Sequence, residues 1–276
     1  MIQQDLQVKW YDLSGYTICI KCNQGQWLDR FSRFLNIPEG RAGAPHLSLD
    51  LQVVEAEQVD RLMPLPEAGT ATVLLLRNND IKPLYTDMLF TYNLINQLMG
   101  KYDYFAVHAS CVQFNGAGII LSGNSGRGKS TAVFALLQHG FKVLSDERIL
   151  LYSADEGYRG CSISDVIKVR EAARQLFFPA LVPEQAYDSI DDEHYYKCDM
   201  ITPGKWLADS GINYFLVINQ SGTPQSRLIK INPIRAVGEF FPVTMKAYDF
   251  KEAATKKFNF LMDFLSSVPC YQLDFG

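Results

Sequence analysis

The octapeptide Gly123-Asn124-Ser125-Gly126-Arg127-Gly128-Lys129-Ser130 fits the pattern G-x-x-x-x-G-K-[ST] at every position. It follows Gly118-Ile119-Ile120-Leu121-Ser122, an apolar run that reads as a strand. It precedes Thr131-Ala132-Val133-Phe134-Ala135-Leu136-Leu137-Gln138, which reads as a helix ended by Gly140. A strand, a glycine-rich loop and a helix in that order form the context this spacing needs to hold phosphate. Glycines let the backbone curl so that successive N–H groups point at phosphate oxygens, and the helix offers its positive dipole end to the same charge. Lys129 would reach the β and γ phosphates of a nucleotide, and the Ser130 hydroxyl can ligate a bridging Mg²⁺. The nucleotide-contacting candidates are therefore Gly123, Asn124, Ser125, Gly126, Arg127, Gly128, Lys129, Ser130 and the adjoining Thr131.

Just upstream, Tyr104 to Phe114 alternates in polarity and meets the Gly118 run across Asn115-Gly116. Asn-Gly between two such runs is a strong hairpin signal and predicts an antiparallel pair feeding the loop. Downstream, Phe141 to Tyr152 reads as one further strand that carries Asp146 and Glu147. Val143 and Leu144 precede the two acids and Ile149 to Leu151 follow them, so the strand reads as buried. Two carboxylates inside such a strand are costly unless they serve a cation or a phosphate site.

Farther out the signals are structural. Val8 to Leu13, Tyr16 to Cys22, Leu47 to Val54 and Thr72 to Leu76 read as short strands. Gln26 to Leu35 reads as a core helix with Trp27, Phe31 and Phe34 on one face, and Tyr85 to Gly100 reads as a second helix. Tyr187 to Tyr196, rich in acids and tyrosines, reads as a solvated loop, and Glu252 to Ser267 as an amphipathic helix packed on a sheet. His139 fits a helix C-terminus, whereas His46 and His194 show no partner pattern.

The whole chain has 276 residues, 47% hydrophobic and 20% charged, enough for one large or two modest domains that fold by packing alone. With 26 basic against 30 acidic residues, its net charge of -4 lacks the excess of a general nucleic-acid binder. No apolar run approaches the roughly 18 residues of a membrane helix and no secretory signal opens the chain, so a cytoplasmic protein without nucleic-acid or membrane partners is expected. Six scattered cysteines then read as free thiols, and the Cys19-x-x-Cys22 pair lacks the second pair that would complete a zinc site.

Taken together, His108, the hairpin, the loop from Gly123 to Ser130 and Ser145-Asp146-Glu147 resemble the catalytic domain of the HPr kinase/phosphorylase family. They look most like its related kinases near peptide-modification clusters, including those acting on lasso peptide precursors. The resemblance covers about residues 104 to 152 and extends weakly to the C-terminus; residues 1 to about 80 do not share it. It implies an α/β fold of α+β character with a mixed-sheet, phosphoenolpyruvate-carboxykinase-like nucleotide-binding core, expected over residues 84–276; the short strands that precede it read as a small strand-rich domain over residues 1–83. It implies ATP and Mg²⁺ as cofactors, Asp146 as catalytic base, Lys129 on the phosphates, Ser130 and Glu147 as metal ligands, and His108 beside the catalytic carboxylate. The acceptor would be a hydroxyl of a protein, a peptide or a small molecule, and the family pattern leaves room for a homo-oligomer. Two positions depart from the family: Glu147 stands where an aspartate is usual, and Thr131 where a glutamate follows the loop serine. Lys168 and Arg170 are the best candidates for the family's downstream basic signature, with surface charges as the alternative. Two other activities fit the same motif, a non-catalytic nucleotide-binding accessory protein and a simple NTPase that uses water.

Overall fold

The computed structural model describes residues 6–13, 15–55, 70–77, 95, 99–190, 192–223, 225–245 and 251–275. The chain divides into two compact units, Met1–Leu98 and Met99–Gly276. The boundary expected at 83/84 lies outside the described residues, as do most of the helix expected over 85–100 and the side chains of Trp27, Phe31 and Phe34.

In the first unit, strands β1 (Gln7–Leu13), β2 (Tyr16–Cys22), β3 (Leu47–Glu55) and β4 (Thr70–Arg77) form one sheet in that order. β1 and β2 are antiparallel, and the remaining neighbours are parallel. Helix α1 (Gly25–Phe34) contributes Leu28 to a core of Ile18, Ile20, Leu47 and Leu49. Cys19 and Cys22 are both buried in this sheet without a disulfide.

The second unit is built on a nine-stranded mixed sheet. Its strands β5 (Phe105–Val107), β6 (Ser110–Phe114) and β7 (Ala117–Ser122) lead into helix α2 (Lys129–Gln138). β6 and β7 make the expected antiparallel hairpin, and its turn residues Asn115 and Gly116 take φ of 50° and 86°, which asparagine and glycine tolerate best. Strands β8 (Lys142–Ser145), β9 (Ile149–Ala154) and β10 (Gly157–Cys161) follow. The long β14 (Asp209–Gln220) runs parallel to β7 and, through its second half, parallel to β16 (Cys270–Phe275). The antiparallel β10–β14 and β6–β7 pairs beside these parallel ones make the sheet mixed, as the resemblance implies. β15 (Arg227–Lys230) borders β16.

Both faces of the sheet are covered, which is why β7 reads as continuous apolar sequence instead of alternating. Ile120, Phe215 and Val217 pack under helices α5 (Pro233–Thr244) and α6 (Lys251–Ser267) through Phe240, Leu261 and Phe264. The next residues along the same strands, Leu121 and Ile218, face α2 through Val133, Phe134 and Leu137. Burying each such side chain contributes about 1.5–3 kcal/mol, so the loop between β7 and α2 is anchored in core at both ends.

Two expectations are corrected. The strand expected from Phe141 to Tyr152 is two strands, β8 paired to β6 and β9 paired to β5 and β10, and the acids lie in the turn between them. The expected acidic loop is strands β12 (Asp188–Ile190) and β13 (Glu193–Lys197), which join β11 (Val166–Arg170) in a small antiparallel sheet. Its charges are matched across strands, with Lys168 3.3 Å and Arg170 3.0 Å from Glu193. Two short helices flank this sheet, α3 (Glu171–Phe177) and α4 (Cys198–Ile201). No helix among the described residues is long and apolar enough to cross a membrane.

Candidate active site

The loop from Gly123 to Ser130 leaves the end of β7 and enters α2 at Gly128, whose φ of 84° is left-handed. That conformation costs a side-chain-bearing residue about 1–2 kcal/mol. A Cβ added there would also lie 2.6 Å from the ring of Phe275, which comes from β16 at the far end of the sequence. Glycine at this position is thus required by backbone and by packing together. The first helical bond follows at once, from Ala132 N–H to Gly128 O at 2.8 Å. The N–H groups of the first turn of α2 have no intrahelical partner, and they give this end of the helix its partial positive charge.

Lys129 Nζ donates to Gly123 O at 2.7 Å and reaches Asn124 O at 3.4 Å, so the ammonium lies across the mouth of the loop. Burial lowers its pKa, while Asp146 and Glu147 pull it back up. The Arg127 guanidinium lies 3.4 Å from Glu239 on α5. Thr131 follows Ser130 in the first turn of α2.

Asp146 comes from the turn between β8 and β9. Ser145 shapes that turn: its Oγ accepts from Arg148 N–H at 3.0 Å and donates to the Arg148 carbonyl. The carboxylate it presents is 5% exposed and meets two serines. Ser130 Oγ donates to Oδ2 at 3.1 Å, and Ser110 Oγ, from the start of β6, lies 3.4 Å from Oδ1 and 2.5 Å from the Asp146 carbonyl. Burial first, and then the adjacent Glu147 charge, push the Asp146 carboxyl up to about 6, against the pull of Ser130, Lys168 and Lys129. A carboxyl poised there can take or release a proton near neutral pH.

The structure therefore brings Lys129, Ser130 and Asp146 into one cluster, with Glu147 and Lys168 close enough for their charges to be felt by both Lys129 and Asp146. His108 lies in the short connection between β5 and β6, two residues before Ser110. Arg170 is tied to Glu193 and is 60% exposed in its side chain, which sets it apart from this cluster. Among the described residues no group of three His, Cys, Asp or Glu side chains could by itself hold a metal. The donors present are a hydroxyl and two carboxylates beside a phosphate loop. They suit Mg²⁺, a hard cation that takes one or two carboxylates and completes its shell with water and phosphate.

Ser110 was not singled out from sequence, nor were Phe275 and Glu239. The same holds for His194, whose Nδ1 lies 2.9 Å from Ser189 Oγ and whose Nε2 lies 3.2 Å from Glu171, in the small sheet and the helix that follows β11. Each of these contacts joins residues too far apart, or in strands too weakly patterned, to leave a local signal.

No protein-family model matches the chain. The HPr kinase/phosphorylase of Streptococcus thermophilus is 30% identical over 129 residues, which cover 47% of this chain and 38% of that protein. The HPr kinase/phosphorylase of Lactobacillus delbrueckii subsp. bulgaricus is 29% identical over 131 residues, covering 40% of each. Over that stretch the chain resembles HPr kinase/phosphorylases. The chain spans about two fifths of the length of the curated relatives it matches. Among solved structures, the HPr(Ser) kinase/phosphatase from Coxiella burnetii matches with a TM-score of 0.33 at 12% identity, covering 62% of this chain and 84% of that one.

Proposed function

We propose that the protein is an ATP- and Mg²⁺-dependent kinase that moves the γ-phosphoryl group to a hydroxyl of a protein, a peptide or a small molecule. The observation that carries this reading is the 3.1 Å contact between Ser130 of the loop and the buried Asp146, which couples a phosphate cradle to a carboxylate of raised pKa. The similarity to proteins named HPr kinase/phosphorylase supports the reaction class.

In this reading the loop N–H groups and Lys129 hold the phosphates, with Lys129 exchanging its bonds to Gly123 O and Asn124 O for phosphate oxygens. Ser130 and Glu147 are the proposed metal ligands. Bound Mg²⁺ would offset charge on the phosphates. Asp146 orients the acceptor hydroxyl and accepts its proton as the oxygen bonds to the γ-phosphorus, while the bond from that phosphorus to the β-phosphate oxygen breaks and ADP leaves. Positioning and charge compensation supply the acceleration. His108, two residues before the β6 serine that touches Asp146, is the proposed histidine beside this carboxylate. With a net charge of -4, the protein offers no positive field to attract ATP, so the local cradle has to do so.

The test is transfer of label from γ-labelled ATP to candidate acceptors, with and without Mg²⁺. The wild type should label a hydroxyl acceptor, whereas Asp146→Asn should bind ATP and label none. ATP bound without transfer or ADP formation would instead identify an accessory nucleotide-binding protein. ADP formed at one rate whatever the acceptor would identify an NTPase.

A further inference from the structure

We infer that Ser110 is a positioning residue for Asp146, an inference that rests on the kinase reading. β6 and β8 pair up to Cys111 opposite Ser145, and there the ladder ends because the chain turns away through Asp146, Glu147 and Arg148 toward β9. The next carbonyl along, that of Asp146, is met by the Ser110 hydroxyl at 2.5 Å. A side chain thus continues the ladder one step past its last backbone pair.

The same oxygen lies 3.4 Å from Asp146 Oδ1, so Ser110 fixes the backbone of this residue and borders its carboxylate. Ser130 approaches the other carboxylate oxygen, at 3.1 Å. The two serines differ in what they are free to do. Ser130 belongs to the phosphate loop, where a nucleotide and its metal compete for its hydroxyl. Ser110 has no exposed surface, so no substrate can reach it, and it keeps its grip whatever Ser130 does. Its neighbours on the hairpin are core residues: Leu121 is its cross-strand partner and Cys111 follows it, both fully buried. Rigid core therefore reaches the carboxylate through one hydroxyl. Misplacing a reacting group by about 1 Å can cost about 100-fold in rate, which is the scale of effect that loss of this contact should produce.

The experiment compares Ser110→Ala, Ser110→Cys and Ser110→Thr with the wild type. Cysteine matches serine in shape but is a weak donor, so it keeps the packing and removes most of the bond; threonine keeps the hydroxyl. Turnover of Mg–ATP should fall at least about 10-fold in kcat for Ala and Cys, with KM for ATP within about 2-fold, and Thr should recover most of the loss. If kcat for Ala and Cys stays within about 2-fold of wild type, or Thr fails to recover what Ala loses, Ser110 does not position Asp146. A crystal structure of the Ser110→Cys variant decides the point without turnover: Asp146 should move away from Ser130 by about 1 Å or more, and an unmoved Asp146 would overturn the inference. A wild type that binds Mg–ATP but never turns it over refutes the kinase reading instead, and that structure still judges Ser110.

Discussion

Replacing Asp146 by asparagine should make the second unit more stable at pH 8 while destroying its activity. The fold holds the Asp146 carboxyl at about 6 against an ordinary 3.8, chiefly because burial penalises the charged form. A carboxyl whose pKa is raised by folding is favoured in its protonated form. Its stabilising influence is complete below about pH 4 and is lost as the pH climbs to about 6. A rise from 3.8 to about 6, at about 1.4 kcal/mol per tenfold, amounts to about 3 kcal/mol of destabilisation above pH 6. Asparagine has no charge to bury, and its amide can donate where the carboxylate only accepts, so part of the contact with Ser130 survives. Asp146→Asn should therefore gain about 2–3 kcal/mol at pH 8, or about 5–10 °C for a unit of this size, and differ by less than about 1 kcal/mol at pH 4.5. Calorimetry of both proteins across that range, with EDTA and without nucleotide, measures it. Because both chains share every other titrating group, the difference between them isolates Asp146. A variant less stable than wild type at pH 8, or one whose advantage is equal at pH 4.5 and 8, would refute the reasoning. Mg²⁺ with ADP should narrow the gap, because they favour the ionised carboxylate of the wild type.

Two further outcomes follow from the loop itself. Gly128→Ala should weaken nucleotide binding by about 10-fold or more and lower the melting temperature, since the left-handed φ of 84° costs about 1–2 kcal/mol and the added Cβ meets the Phe275 ring. Adding Phe275→Ala should recover part of the stability and leave the backbone strain; a Gly128→Ala protein that binds nucleotide normally would contradict this. Glu239→Gln and Arg127→Met should each change the melting temperature by less than about 2 °C, because their ion pair is about one-third exposed at both ends and such pairs contribute at most about 1 kcal/mol. A larger change, read by calorimetry, would show that the pair matters more than its exposure allows.

The parts of the site that could be read from sequence are those whose causes are local. Asn115 and Gly116 adopt the positive φ that their residue types permit, so the hairpin is written in two adjacent letters. The glycine spacing from Gly123 to Gly128 and the lysine after it describe a loop whose geometry depends on its own backbone. The break between β8 and β9 was hidden because apolar residues on both sides of Asp146 continue one another, and the turn depends on a single Ser145 hydroxyl. The β12–β13 hairpin looked like a solvated loop because Glu193 finds its cations in β11, more than twenty residues earlier. Ser110 lies 36 positions from Asp146, and no periodicity marks a serine at a strand end as a hydrogen-bond donor to a distant turn. Phe275 is harder still to foresee, since it meets Gly128 only after β16 has been placed beside β14. Charged and apolar pattern thus reported the elements, while the contacts that shape the carboxylate site depend on how those elements meet.

The most direct test of the account is titration calorimetry of Mg–ATP against the wild type and Lys129→Ala. Lys129 lies across the mouth of the loop, 2.7 Å from Gly123 O, and its charge-assisted bonds to phosphate should be worth about 1.5–3 kcal/mol. The account predicts one nucleotide bound per wild-type chain and affinity at least about 10-fold weaker in the variant. Equal affinity in the two proteins, or a wild type that binds no Mg–ATP, would contradict the phosphate-loop reading on which the kinase proposal stands.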